Sequence, residues 1–189
     1  MDYPRLISLL KRGEGSVNHL YLDTVGKVTV GVGNMLPTAE SAGKLPFRHR
    51  FSDNRANIND IIIEYGKIKQ LPYGKDRPAS FYAPYCELYL PEREIDKLLG
   101  SRVQEFLKSL RMQFRGFDDY PEAAQLGIMD MIFNLGPTKL FASAQDGGFP
   151  KFCLAVRQQD WATCANECHR RGIADERNNE VKNLFLEAA

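Results

Sequence analysis

The sequence predicts an α+β protein that is mainly α. Three patterns point there. A short amphipathic segment stands near the N-terminus, a glycine-punctuated pair of strand-like runs follows it, and long stripes of apolar residues at helical spacing fill the second half.

Leu6, Ile7, Leu9 and Leu10 recur at helical spacing, which predicts a helix over 4–13. Pro4 suits its first turn, and Gly13 and Gly15 suit its end. Glu14 therefore stands where a helix gives way to a loop. After it, HLYLD and KVTVGVG read as two strands joined by a turn at Asp23–Gly26. Gly31 and Gly33 alternate along the second strand and allow close approach of another backbone or a ligand. NRANINDIIIEYGKIKQL looks helical. Pro91, Glu92 and Glu94 open a long helix whose stripe is Ile95, Leu98, Leu99, Val103, Phe106, Leu107 and Leu110. A further helix starts after Pro121.

At 189 residues, 43% hydrophobic and 26% charged, the chain can bury one substantial core or a core shared by two lobes. No apolar run approaches the roughly 18 residues that span a bilayer, so no stable membrane insertion is expected. MDYPRLISLLKRGEG lacks a basic start, apolar run and cleavage site, so no signal peptide is read there. A net charge of +1 gives no broad attraction to anionic polymers. Nothing resembles a phosphate loop or a nucleotide fingerprint, and no nucleic-acid partner is expected. Four cysteines, Cys86, Cys153, Cys164 and Cys168, permit a disulfide that a chain of this size does not need. Cys164 and Cys168 lie four apart beside His169, a spacing that favours helix packing over a metal site. No cofactor is implied.

The chemistry-bearing stretch is RGEGSVNHLYLDTVGKVTVGVGN, from Arg12 to Asn34. Singly, an acidic residue at a helix end is a cap or a solvated charge, and Asp in DTVG is a turn former. Together, one carboxyl on a helix end and one on a neighbouring hairpin are what glycoside hydrolysis uses. One gives a proton to the leaving oxygen, and the other handles water or the sugar cation.

The same residues resemble the active-site signature of the phage-type lysozymes, glycoside hydrolase family 24. That signature has a Glu after the first helix, an Asp in a Y-x-D-T-x-G turn and a Thr in a T-x-G-x-G strand. Here these are Glu14, then Tyr21, Asp23, Thr24 and Gly26, then Thr29, Gly31 and Gly33. The spacings of nine and six residues also agree. MDMIFNLGPTKL resembles the family's buried central helix, FPKFCLAVRQQDWATCANECHRRG the helix pair after it, and GIADERNNEVKNLF its closing segment. The two matched blocks cover about half of the chain.

The resemblance implies a lysozyme-like fold over 1–189. Residues 14–90 would form a β-containing lobe and 91–189 a helical lobe on which helix 4–13 packs. It implies a muramidase acting on peptidoglycan glycan strands, between N-acetylmuramic acid and N-acetylglucosamine. Glu14 would be the general acid, and Asp23 with Thr29 would hold and activate water on the opposite sugar face. That inverting arrangement sets the carboxyls roughly 6.5–9.5 Å apart. Arg177 would orient Glu14, and Asn134 would bind sugar acetamido or hydroxyl groups.

Two departures stand out. Asn34 occupies a position where many relatives have His, and residues 35–90 follow the compact enzymes poorly. That stretch reads as a loop insertion, with Phe81, Tyr82, Tyr85 and Tyr89 in the core, or as a wall whose aromatic rings stack on sugars. The expected settings are a phage endolysin and an antibacterial effector, made in the cytoplasm and acting in the periplasm or on the cell wall. The effector setting brings a secretion-machine component and a periplasmic immunity protein as partners. A peptidoglycan-binding module without activity and a chitin-directed glycosidase are the alternatives.

Overall fold

The computed structural model describes residues 1–189 and is mainly α with two small antiparallel sheets. The chain divides into two compact units. One comprises residues 14–101, and the other joins residues 1–13 to residues 102–189. No helix is long and apolar enough to cross a membrane.

In the first unit, β1 (Val17–Leu22), β2 (Val28–Gly31) and β3 (Asn34–Met35) form a sheet in that order. Tyr21 faces Thr29 and Leu22 faces Val28, with an irregularity in β1 before Tyr21. The turn between them is held from inside. Asp23 Oδ1 accepts from the Val25 and Lys27 N–H groups at 3.0 and 2.8 Å, and Gly26 adopts a left-handed φ of 77°. A side chain at Gly26 would also strike the Tyr73 ring, so both conformation and space require glycine there.

Residues 35–90 are folded into this unit. They supply β3, α2 (Ala39–Gly43), β4 (Arg48–His49), α3 (Ile58–Lys69) and β5 (Leu88–Tyr89), with β4 and β5 forming the second sheet. Asn57 opens α3 with a capping box, accepting from the Asp60 N–H. From α3, Ile61 and Ile68 enter the core, the Tyr65 hydroxyl donates to the Leu36 carbonyl, and Lys69 donates to the Gly26 carbonyl. This segment therefore braces the hairpin. Of its aromatics, Tyr82 is fully buried and donates to the Pro72 carbonyl, and Phe81 packs against Tyr82 and Tyr85. Tyr82 is a core residue and not a sugar platform, because its ring and hydroxyl are both already partnered.

The second unit is built around α5 (Glu122–Leu140), apolar around its whole circumference and buried from Ala123 to Phe133. Its φ/ψ break at Gly136, before Pro137, kinks the last turn. Leu6, Leu9 and Leu10 of α1 (Tyr3–Glu14) are buried, as are Val181, Leu184 and Phe185 of α8 (Asp175–Ala188). Gly127 lets α8 come close to α5, since a Cβ there would lie 2.7 Å from the Phe185 ring. α6 (Pro150–Gln158) and α7 (Trp161–Glu167) complete the unit. Asp160 caps α7 through the Thr163 N–H and hydroxyl. α4 (Glu92–Gln113) runs through both units, and the division falls within it, between Ser101 and Arg102.

Candidate active site

Glu14 is the last residue of α1 and is half-buried. Its Oε2 lies beside the backbone of Gly33, where an added Cβ would come within 3.9 Å of it. Gly33 has a φ of 63°, so the final glycine of the strand motif is fixed by its backbone conformation. Tyr21, on β1, lies opposite Thr29. Its phenol is pushed up to about 12, first by burial and then by the charges of Glu14 and of Asp23. A phenol so placed keeps its proton and presents an O–H donor to its surroundings.

Asp23 divides its carboxylate between two tasks. Oδ1 is committed to the turn through two backbone N–H groups, and Oδ2 lies outside those bonds. Thr29 is 3% exposed, and its hydroxyl donates to the Lys27 carbonyl at 3.1 Å. The hydroxyl proton is thus spoken for, and what Oγ1 has left to offer is its lone pairs. Glu14, Asp23 and Thr29 belong to one unit, whereas Asn134 and Arg177 belong to the other.

Arg177 joins a buried ion cluster that the sequence reading missed. Asp130, fully buried on α5, accepts from Arg177 Nε at 3.0 Å and from Arg170 Nη1 at 3.1 Å. Arg177 Nη1 donates to the Gly13 carbonyl at 2.8 Å. Its guanidinium lies so close to Gly13 that a Cβ there would meet it at 2.7 Å. Arg177 thereby holds the peptide that precedes Glu14. The signals were an aspartate inside the apolar run MDMIF and an arginine pair at 170–171, neither of which motif matching weighs. One carboxylate thus serves two guanidiniums. Arg170 Nη2 is buried without a hydrogen-bond partner. An unpaired buried donor costs about 1–3 kcal/mol, and more when charged.

Asn134 stands near the end of the straight part of α5 and lines a cavity of about 520 Å3 with Lys139, Arg170 and Arg171. All four cysteines are buried and free. Burial pushes the Cys86 and Cys164 thiols up to about 12 and the Cys153 thiol up to about 11, which makes them inert packing groups. His19 and His49, for which the sequence offered no partner, have one each. His19 Nε2 meets the Ala79 carbonyl at 2.9 Å, and His49 Nε2 lies 3.2 Å from Asp60. A comparison with known protein families finds no match to this chain, and a search among characterised proteins finds none either.

Proposed function

We propose that the protein is a lysozyme-like glycoside hydrolase of the phage type, a muramidase that cleaves the β-1,4 bond between N-acetylmuramic acid and N-acetylglucosamine. Its two compact units are then the β-containing and helical lobes of that fold. The observation that carries this reading is the placement of Glu14 Oε2 beside Gly33, in the same unit as the hairpin whose turn Asp23 holds and whose Thr29 lies opposite Tyr21.

In this reading Glu14 protonates the glycosidic oxygen as the bond to the anomeric carbon breaks. A water hydrogen-bonds to Asp23 Oδ2 and to the lone pairs of Thr29 Oγ1, and attacks that carbon from the opposite face. Asp23 takes up the proton that the water loses, so one water is consumed and one new reducing end appears. Both groups offered to the water are acceptors, because the Thr29 proton is held by the Lys27 carbonyl. Arg177 keeps the Gly13 peptide, and with it the start of Glu14, in place. Asn134 binds sugar substituents. Such an enzyme serves as a phage endolysin or as a secreted antibacterial effector whose immunity partner occupies the substrate site.

Digestion of purified peptidoglycan followed by product analysis tests this. The expected products carry N-acetylmuramic acid at the reducing end, with the α-anomer appearing first by NMR, as inversion requires. Polymer binding without any release of reducing ends, or release from chitin alone, would overturn the assignment.

A further inference from the structure

The loop after β4 carries the most exposed large apolar side chain of the protein. Phe51 is 98% exposed, so its ring contributes nothing to the core. The loop that presents it is firmly built. The His49 N–H donates to the Asn54 carbonyl and the Asp53 N–H to the His49 carbonyl, both at 2.9 Å. Asp53 adopts a left-handed φ of 55°, and both of its carboxylate oxygens are held. The Tyr89 hydroxyl donates to Oδ1, and Arg48 Nη1 donates to Oδ2 at 3.2 Å and to the Asp53 carbonyl at 2.7 Å. The Arg50 N–H donates to the Glu87 carbonyl at 2.9 Å. The charge of the loop is one-sided. Residues 48–55, RHRFSDNR, hold Arg48, Arg50 and Arg55 against the single acid Asp53, which Arg48 already engages. Arg50 Nη2 meets only a neutral oxygen, Asn18 Oδ1 at 3.4 Å, and no carboxylate pairs with Arg55. Arg55 also lines a groove with Lys44 and Ile58, the latter 60% exposed.

We propose that this tip docks the protein on an anionic phospholipid surface. The Phe51 ring enters the boundary between headgroups and acyl chains, and Arg50 and Arg55 meet the lipid phosphates. Two features favour lipid over an acidic protein. The loop neighbours of Phe51, namely Arg50, Ser52, Asp53 and Asn54, are all polar, so the tip offers a single apolar point and not the apolar centre that seals a protein interface. A soft boundary accepts one ring without a matching pocket, and arginines at that depth keep their phosphate contacts while their stems lie along the apolar layer. Docking of this kind is peripheral and needs no spanning helix. It rests on residues 44–58 alone and is independent of the hydrolase reading.

Cosedimentation of the full chain with lipid vesicles, in the absence of peptidoglycan, tests this. One set of vesicles holds equal parts of phosphatidylglycerol and phosphatidylcholine, and the other phosphatidylcholine alone. The native chain should bind the anionic vesicles roughly tenfold or more tightly than the neutral ones, and Phe51→Ser should lose roughly tenfold in affinity for them. Arg50→Gln with Arg55→Gln should lose a similar factor and flatten the dependence on salt. Phe51→Trp should shift its emission to shorter wavelength on anionic vesicles, because Trp161, the single native tryptophan, is buried and supplies a steady background. Every altered side chain is exposed, and circular dichroism will show that the variants are folded. Met112→Ser, which removes another exposed apolar side chain on α4, should change nothing. Failure to bind vesicles, equal binding to both kinds, or anionic binding that Phe51→Ser leaves intact overturns the proposal. Equally tight, Phe51-dependent binding to soluble polyglutamate also overturns it, in favour of an acidic protein partner.

Discussion

Tyr21, Thr29 and Asp23 divide the hairpin's chemistry by what each has left to offer after folding. Asp23 keeps Oδ2, Thr29 keeps its lone pairs, and Tyr21 keeps its proton between two acids. Thr29→Val preserves shape and removes the hydroxyl, both its acceptor lone pairs and its bond to the Lys27 carbonyl. It should lower the rate of reducing-end release by roughly 10–100-fold, while the lost hydrogen bond to the Lys27 carbonyl, which still accepts from the Asp23 N–H, costs about 0.5–1.5 kcal/mol of stability. A variant that keeps its full rate would remove Thr29 from the mechanism. Glu64 makes a different prediction. Its Oε2 accepts from the Glu87 and Leu88 N–H groups, but Oε1 is buried with no partner. Burial raises its affinity for protons more than those bonds lower it. A carboxyl raised in the folded state contributes stability that is fully present below the ordinary Glu value of about 4.3, and loses it as pH rises through the folded value. Glu64→Gln should therefore gain on the native chain in urea melts as pH climbs from about 4 to 7. A difference that does not change with pH would show that Glu64 is not a burdened acid.

The helices and strands differ in how openly the sequence announces them. The first helix, the hairpin with its DTVG turn and the long α4 all carry periodicity and capping signals, and the structure places them within a few residues of the reading. β3, two residues long, has no period to detect. The role of residues 35–90 was equally hidden, because bracing a hairpin depends on long-range contacts such as Lys69 to Gly26 and Tyr65 to Leu36. The Asp130 cluster was hidden for the same reason: its partners come from positions forty and forty-seven residues away. Of the proposed site residues, Glu14, Asp23 and Thr29 stand together in the sequence because they lie within a single local motif. Gly127 supports the packing of α5 on α8, and Gly127→Ala should destabilise the helical unit by about 1–3 kcal/mol through the Phe185 ring. An unchanged thermal midpoint would mean that the two helices adjust freely.

At the scale of the entire chain, the helical unit is discontinuous in sequence. Residues 1–13 belong with 102–189, and they contribute Leu6, Leu9 and Leu10 to its core. A fragment of residues 102–189 should therefore melt without cooperativity, and linking residues 1–13 to it should restore a cooperative transition in calorimetry. A sharp transition in the shorter fragment would show that α1 is peripheral. The same discontinuity has a consequence for the proposed acid. Glu14 follows directly on a helix whose apolar face is embedded in one unit, while its own residue belongs to the other. Glu14 is thereby the last residue of a helix and not part of a free loop.

The central claim is that Glu14 gives the proton. The most direct measurement is reducing-end release from purified peptidoglycan by the native chain and by Glu14→Gln, with circular dichroism confirming that both are folded. Loss of a general acid should slow release roughly 10²–10⁴-fold while leaving binding to the polymer intact. A Glu14→Gln protein that releases reducing ends at the native rate would contradict the account, and would place the chemistry elsewhere in the molecule.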